Sequence, residues 1–183
     1  MDSTPRLHFT VKVATDYSQV ADIVDLINEA YEFGESGLWI SGKKRVRNEE
    51  EVRELLKRGR VIIVVTPGKQ EKIVGVVCVK SADKNTGMIS MLSCHKDYLS
   101  QGVGNTLVES AEQLSKELGF KEVRMMLFQP KYFKHPFKER LRKWYTKLGY
   151  TSGQPEPIPK DIMDIVRPLF AVECEMTVFC KQL

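Results

Sequence analysis

The sequence predicts an α/β fold in a single domain, residues 1–183, with a mixed and mostly antiparallel sheet of six to seven strands flanked by about four helices. Three observations indicate this class. The chain of 183 residues has the length of one domain. Hydrophobic residues make up 42% and charged residues 28%, which excludes a wholly disordered or collagen-like chain. Segments with apolar residues at every second position alternate with segments of three- to four-residue spacing, so strands and helices interleave.

The first half of the chain is predicted to form a strand, two helices and three further strands. Residues 8–13 alternate apolar and polar side chains, as a strand does. Asp16 and Gln19 have the spacing of a capping box, and one apolar helix stripe follows: Val20, Ile23, Val24, Ile27 and Tyr31. A second helix opens at Asn48. Three apolar segments bounded by turns then predict antiparallel strands: 61–66, 73–79 and 87–94.

In the second half, the apolar spacing changes to that of a helix and then alternates again. A helix over 103–118 ends at Gly119, and a strand over 123–128 follows. The remaining predicted elements are a helix, a proline-rich loop, a short helix and a closing strand: 138–147, 153–159, 161–166 and 172–180. A helix between two strands allows a parallel crossover, so the sheet is expected to be mixed.

Composition and charge limit the kinds of molecule that the protein is expected to bind. With 28 lysines and arginines against 24 acidic residues, the net charge of +4 suits an anionic ligand but is too small to indicate a nucleic-acid binder. The longest apolar run, 61–65, is too short to cross a bilayer, and the first six residues show no signal-peptide core. The four cysteines form no CxxC motif, which favours reduced thiols and a cytoplasmic location.

The most informative segment joins the strand that ends near Cys94 to the following helix. Gly102 and Gly104 leave backbone N–H groups uncovered there. The first-turn amides of a helix have no intrahelical partners and carry the positive end of the helix dipole, so a pyrophosphate fits this position. The alternative is a tight strand-to-helix turn without a ligand. A P-loop is excluded, because no Gly-Lys-Ser/Thr follows.

Two motifs in order resemble those of the GNAT N-acetyltransferase superfamily. At the glycine turn, residues 98–108 are similar to the family pattern Arg/Gln-x-x-Gly-x-Gly/Ala, and 114–120 continue the similarity. About forty residues later, 144–150 resemble the family ending Tyr-x-x-Leu-Gly-Phe/Tyr. The segment 135–145 is similar to an uncharacterised subgroup of the family. The predicted element order agrees with the family fold over nearly the whole chain.

The resemblance implies acetyl-coenzyme A (acetyl-CoA) as cosubstrate and no metal. In the family this molecule lies in a cleft between two strands that part, here 87–94 and 123–128. The main chain of Leu92, Ser93 and Cys94 is expected to bind its pantetheine arm, with one amide polarising the thioester carbonyl. Lys138, where many members carry asparagine, is expected to reach coenzyme A as a cation. The pyrophosphate is assigned to the glycine turn: Gln101, Gly102, Val103, Gly104, Asn105 and Thr106.

For the chemistry, the resemblance implies direct attack of an amine on the thioester. Tyr145 is similar to the family tyrosine near the sulfur, and a phenol is a suitable proton donor to the departing thiolate. The alternative for Tyr145 is a place in the core, which is expected for Tyr150. His135 is the candidate base, ahead of Glu173 and Glu175. A water chain without a dedicated base is the other option, since positioning alone lowers the barrier by several kcal/mol.

Besides Lys138, two further positions depart from the family pattern. Leu99 stands where the glycine turn usually begins with Arg or Gln, so weaker pyrophosphate binding is expected. It is not expected to be lost, because backbone amides supply most of the contacts. Met88 stands where many members carry a glutamate on the strand before the turn, so the usual general base is missing from that position.

The region 31–47 is expected, by resemblance, to form one wall of the acceptor site. Trp39 is a candidate for stacking on a substrate, and its alternative is to anchor a surface loop. The region also contains a basic patch: Lys43, Lys44, Arg45 and Arg47. This patch is either solvated, an anion site or a nuclear address, so a nuclear location stays open. If the patch recruits substrate, an anionic small molecule fits better than a polyamine.

The sequence therefore predicts an N-acetyltransferase that moves the acetyl group of acetyl-CoA to a primary amine of a small molecule or peptide. A non-catalytic coenzyme A sensor on the same fold is the alternative, motivated by Met88 and Leu99. A nucleic-acid-binding domain built on residues 43–47 is a third hypothesis, but the segment lacks interleaved aromatic residues. No nucleic acid or membrane partner is expected, and a homodimer stays open.

Overall fold

The computed structural model describes residues 8–183 of the chain. Within this range eight strands form one sheet: β1 (Thr10–Val13), β2 (Val61–Val65), β3 (Ile73–Ser81), β4 (Thr86–Cys94), β5 (Glu122–Pro130), β6 (Thr151–Ser152), β7 (Glu156–Pro157) and β8 (Cys174–Gln182). Five α-helices lie in the same range: α1 (Val20–Gly34), α2 (Glu50–Lys57), α3 (Val103–Glu117), α4 (Pro136–Lys147) and α5 (Lys160–Val166). The predicted α/β class is confirmed.

The strands lie in the order β1-β2-β3-β4-β5-β8-β6, with β7 beside β8. The neighbouring pairs are antiparallel except β4 and β5, which run parallel because α3 connects them. The short strands β6 and β7 lie at the proline-rich segment predicted as a loop, and they pair with the outer edge of β8. They bring the number of strands above the predicted six to seven.

Helices cover both faces of the sheet. On one face, α1 and α2 contribute Val20, Ile23 and Val52 to the core. On the other face, α3 and α4 contribute Leu107 and Tyr145. All five residues of β2 are buried because helices cover both of its sides, which explains its unbroken run of valine and isoleucine.

Three helix starts follow from local chemistry. Asp16 accepts the N–H of Ser18 at 2.8 Å, but it caps a short 3₁₀ turn that leads into α1 rather than α1 itself. Asn48 accepts the N–H of Glu50 at 3.1 Å, so α2 begins at Glu50. The helix α4 begins at Pro136, two residues before its predicted start, because the fixed φ of proline and its missing N–H suit a first helical turn.

Residues 8–183 contain no helix with the length and apolarity needed to span a membrane. In the same part of the chain, no three or more His, Cys, Asp or Glu side chains are grouped so that they could hold a metal ion. The four cysteines are free thiols, as the sequence predicts.

The sheet opens at its centre, between β4 and β5. These strands share three residue pairs that end at Met88 and Arg124, and no later pair joins them in the described chain. The strand β5 instead continues along β8 as far as Pro130. In β4, Met91 adopts a left-handed φ of 54°, and the register with β3 shifts beside it. This bulge bends β4 and leaves a cleft between the two strands.

The N-terminus of α3 is held beside the end of β4. Gly75 of β3 is the register partner of Cys94, the last residue of β4. A Cβ on Gly75 would lie 2.6 Å from Val103 Cγ1 and 2.9 Å from Leu107 Cδ1. Glycine at this position therefore lets the first turns of α3 touch the strand, which places the start of the helix at one end of the cleft.

Candidate active site

The cleft offers backbone donors from β4. His95 donates its N–H to the carbonyl of Val74 on β3 at 2.9 Å. Because N–H directions alternate along an extended strand, the N–H of Ser93 also faces β3, whereas those of Leu92 and Cys94 point into the cleft. The expectation for Ser93 is therefore corrected: its backbone is committed to β3, and its side chain is buried.

The glycine turn presents the N-terminus of α3 without a cap. The N–H of Thr106 is the first to bond backward within the helix, at 3.1 Å from the carbonyl of Gly102. The N–H groups of Val103, Gly104 and Asn105 lack intrahelical partners, and no side chain in the described part of the chain caps the helix. The three amides and the helix dipole together favour an anion here.

Several side chains of this turn already have structural partners. Gln101 donates through Nε2 to the carbonyl of Asp97 at 2.8 Å. The side chain of Val103 is buried in the core. Asn105 accepts the indole N–H of Trp144 through Oδ1 at 2.8 Å. What these residues offer a ligand is therefore mainly their backbone.

The two glycines serve different purposes. Gly102 adopts φ 92°, a left-handed angle that favours glycine, and no atom of residues 8–183 lies within 4 Å of a Cβ built on it. A Cβ on Gly104 would instead lie 3.1 Å from Cη2 of Trp144. Glycine at position 104 therefore also makes room for the indole.

Tyr145 is buried in an aromatic group on α4. Its ring centroid lies 5.2 Å from that of Phe179 and 5.3 Å from that of Trp144. Burial raises the pKa of the Tyr145 phenol, so it is protonated at neutral pH, the state that a proton donor needs. Tyr150 fills the core as predicted, with its hydroxyl donating to Glu112 at 2.9 Å.

Lys138 does not provide a free cation. Its side chain is buried, and its ammonium pairs with the buried carboxylate of Glu35. The other oxygen of Glu35 accepts the indole N–H of Trp39. This ion pair joins the end of α1, the following loop and α4. It corrects the expectation that Lys138 binds coenzyme A, because the charge of the lysine is already neutralised.

His135 lies at the start of α4, far from Tyr145. Its Nε2 lies 3.0 Å from the carbonyl oxygen of Ser36, so this nitrogen carries the proton and donates it. The ten residues between positions 135 and 145 correspond to about 15 Å along the helix axis. His135 therefore tethers the turn after α1, and its role as a base stays a prediction.

The two glutamates named as weaker base candidates are also engaged. Glu173 accepts hydrogen bonds from Lys131 at 2.5 Å and Tyr132 at 3.1 Å, and the lysine contact lowers the pKa of its carboxyl. Glu175 accepts the amide of Gln129 at 2.7 Å. Both carboxylates therefore hold the end of β5 and the start of β8 in place.

A pocket of about 220 Å³ lies at the C-terminal end of α1, and we call it the α1 pocket. The loop from 36 to 45 lines it, including Trp39, together with one face of α1 at helical spacing: Asn28, Tyr31, Glu32 and Glu35. Burial raises the pKa of Tyr145, and the charges of Tyr31 and Glu35 in this pocket add to that effect.

Sequence reasoning placed Tyr31 and Glu35 in the expected acceptor wall, 31–47, but gave neither residue a role of its own. The apolar stripe of the first helix accounts for Tyr31, and Glu35 follows that stripe without any motif around it. Their four-residue spacing is the only local signal that they share a helix face. The partner that buries Glu35, Lys138, lies 103 residues away in sequence.

The sequence matches a model of a known protein family. The family model described as the acetyltransferase (GNAT) family matches residues 21–150. No curated protein matches the sequence.

Solved structures of similar fold span nearly the whole chain. The yncA protein of Salmonella typhimurium, solved with its cofactor acetyl-CoA, is 15% identical with a TM-score of 0.68, covering 96% of this chain and 94% of its own. The NatC complex bound to Gag peptide and CoA is 15% identical with a TM-score of 0.67, covering 97% and 99%. Rv2747 from Mycobacterium tuberculosis, in complex with CoA, is 17% identical with a TM-score of 0.60, covering 92% and 97%.

At such identities the structural likeness shows the fold, and the family follows from the sequence model. That model covers well over half of the residues, including β4, the glycine turn and α4. The chain therefore belongs to the GNAT acetyltransferase family.

Proposed function

We propose that the chain transfers the acetyl group of acetyl-CoA to a primary amine. The observation that carries this proposal is the cleft between β4 and β5, which has an uncapped helix N-terminus at one end. The buried Tyr145 belongs to the hydrophobic core on the same face of the sheet as that helix. Family membership and the neighbours solved with CoA or acetyl-CoA support the choice of cosubstrate.

Acetyl-CoA suits the cleft through two kinds of backbone contact. The N–H groups of Leu92 and Cys94 are free to pair with the amides of the pantetheine arm, as the edge of a strand pairs with a neighbour. The amides of Val103, Gly104 and Asn105 are free to bind the pyrophosphate, where the helix dipole favours negative charge. Both contacts are independent of side-chain charge, which makes Leu99 tolerable at the start of the turn.

In the proposed reaction, Tyr145 donates its phenol proton to the thiolate released when the amine nitrogen bonds to the thioester carbon and the carbon–sulfur bond breaks. The phenol regains its proton from water, and the amine loses its surplus proton to water in the α1 pocket. Direct attack is favoured over an acetyl-cysteine intermediate. Burial raises the pKa of the Cys94 thiol to about 11, which leaves about one thiolate in 10⁴ at pH 7.

The proposal is tested by thiol release from acetyl-CoA with a panel of free amino acids, monoamines, diamines and peptide N-termini. Thiol release that depends on an amine, together with mass-spectrometric detection of the acetylated amine, is the expected result. Binding of acetyl-CoA without acetylation of any amine would instead support a coenzyme A sensor. That second candidate is favoured by the engaged or distant positions of the predicted bases, Glu173, Glu175 and His135.

A matched pair of variants tests the pyrophosphate site. Gly102→Asn and Gly102→Asp introduce side chains of nearly equal shape, and both residues tolerate the left-handed angle at this position. We expect the aspartate variant to bind acetyl-CoA at least tenfold more weakly than the asparagine variant, because its carboxylate occupies the anion position. The aspartate variant should be no less thermally stable than the asparagine variant, since both have the same backbone strain and a negative charge suits a helix N-terminus. Equal Kd values from calorimetry would place the pyrophosphate elsewhere.

A further inference from the structure

We infer that the α1 pocket selects an acceptor whose primary amine is joined to a carboxylate, a small zwitterion of the amino-acid kind. The inference rests on the proposed function and names the substrate class for the same site. It comes from the charges that line the pocket, the way one of them is held, and the size of the space.

The charges of the pocket do not cancel. Glu35 is neutralised by Lys138, so it adds no net charge to the space. Lys43 and Arg45 also line the pocket, and neither lies within 4 Å of a carboxylate in the part of the chain that the structure describes. Glu32 and Lys43 are both exposed to solvent, whereas Arg45 is half-buried. The two cations exceed this single free carboxylate, so the pocket favours an acceptor that carries an anionic group.

Arg45 is held in a binding position. Its guanidinium carbon lies 5.5 Å from the ring centroid of Tyr31, a cation–π contact. The adjacent residue Val46 is fixed to α1, because Asn28 accepts its N–H at 2.9 Å and donates to its carbonyl at 3.2 Å. These contacts restrain the guanidinium, and its five N–H donors exceed what Tyr31 can accept, which leaves donors for a carboxylate.

The dimensions suit a short molecule. The pocket reaches α4 through Glu35, whose partner Lys138 lies two helical turns, about 10 Å, before Tyr145. The volume of about 220 Å³ is enough for a small molecule.

Three probes of equal chain length separate the possibilities: 4-aminobutyrate, n-butylamine and 1,4-diaminobutane. Each molecule has four carbon atoms and an amine on the first. The fourth carbon is a carboxylate in 4-aminobutyrate and a methyl group in n-butylamine, and it carries a second ammonium in 1,4-diaminobutane. We expect kcat/KM for 4-aminobutyrate to exceed that for n-butylamine by at least tenfold, with 1,4-diaminobutane the poorest of the three. Equal values, or preference for the diamine, overturn the inference while leaving acetyl transfer intact.

Variants then locate the anion contact. Arg45→Gln should raise KM for 4-aminobutyrate at least tenfold and leave KM for n-butylamine within twofold. Arg47→Gln is the matched control, because Arg47 is exposed, lies on the same loop and does not line the pocket. A KM for 4-aminobutyrate that is unchanged in Arg45→Gln overturns the inference. Acetyl-CoA binding without turnover of any of the three probes also overturns it, whereas loss of acetyl-CoA binding itself would overturn the proposed function.

Discussion

Replacing Tyr145 by phenylalanine is expected to lower kcat for acetyl transfer by about 10²- to 10³-fold, within the usual range for a general acid. The variant keeps the ring that packs against Phe179 and loses the proton that the leaving thiolate requires. The Kd for acetyl-CoA should stay within twofold, because the proposed backbone contacts of β4 and α3 are untouched. Stopped-flow or steady-state thiol release measures kcat, and calorimetry measures Kd.

The matched control is Tyr150→Phe. Tyr150 is a second buried tyrosine, and its hydroxyl donates to Glu112. Removing that hydroxyl should cost some stability, since Glu112 loses a partner, but it should leave kcat within about threefold. Equal losses of kcat in the two variants would mean that Tyr145 acts through packing and not through its proton.

The pH profile gives an independent check on Tyr145. Burial raises the pKa of its phenol above the ordinary value of 10.0. The donor is active when protonated, so its contribution to kcat is present below the raised pKa and is lost only as pH rises through it. We expect no alkaline fall in kcat from this group up to pH 10. A fall with an apparent pKa below 10 that disappears in Tyr145→Phe would contradict this assignment.

Lys138→Met is expected to lower the free energy of unfolding by about 3–5 kcal/mol, the usual cost of leaving a buried charge without its partner. The side chains of Lys138 and Glu35 are 5% and 8% exposed, so water does not replace the missing contact. The carboxylate would keep only the indole N–H of Trp39. Chemical denaturation measures the loss, and a change below 1 kcal/mol would contradict the assignment of a buried pair.

Two further variants separate the ion pair from other effects on α4. Lys143→Met removes an exposed lysine from the same helix and should change stability by no more than about 0.5 kcal/mol. The double variant Glu35→Gln with Lys138→Met removes both charges and keeps an acceptor for Trp39. It should recover at least half of the lost stability, because the penalty comes from the unpaired charge. No recovery would place the loss in the packing of the lysine stem.

Most of the fold could be predicted from local sequence patterns. The β-branched run of β2 and the helical stripe of α3 each depend on neighbours within a few residues, so their spacing predicts them. The glycine turn is of the same kind. Gly102 has a left-handed φ, and the amides that follow it are unpaired because a helix begins there.

Features that depend on partners distant in the sequence could not be predicted from the sequence alone. Lys138 was expected to reach coenzyme A as a cation because it stands where many family members carry asparagine, but Glu35 approaches it from 103 residues away. The direction of the Ser93 N–H depends on the pairing of β4 with β3. The role of Gly104 depends on Trp144, which comes from another helix. Each of these features belongs to a tertiary contact, whose geometry no local pattern specifies.

The central claim is that backbone amides of β4 and of the first turn of α3 hold acetyl-CoA. Amide NMR of the 15N-labelled protein during titration with acetyl-CoA tests it most directly, since each N–H reports separately. The account predicts large shifts at Leu92, Cys94, Val103, Gly104 and Asn105, with little change at Ser93, whose N–H faces β3. Saturation without shifts at these five amides, or with shifts confined to other parts of the sheet, would contradict it.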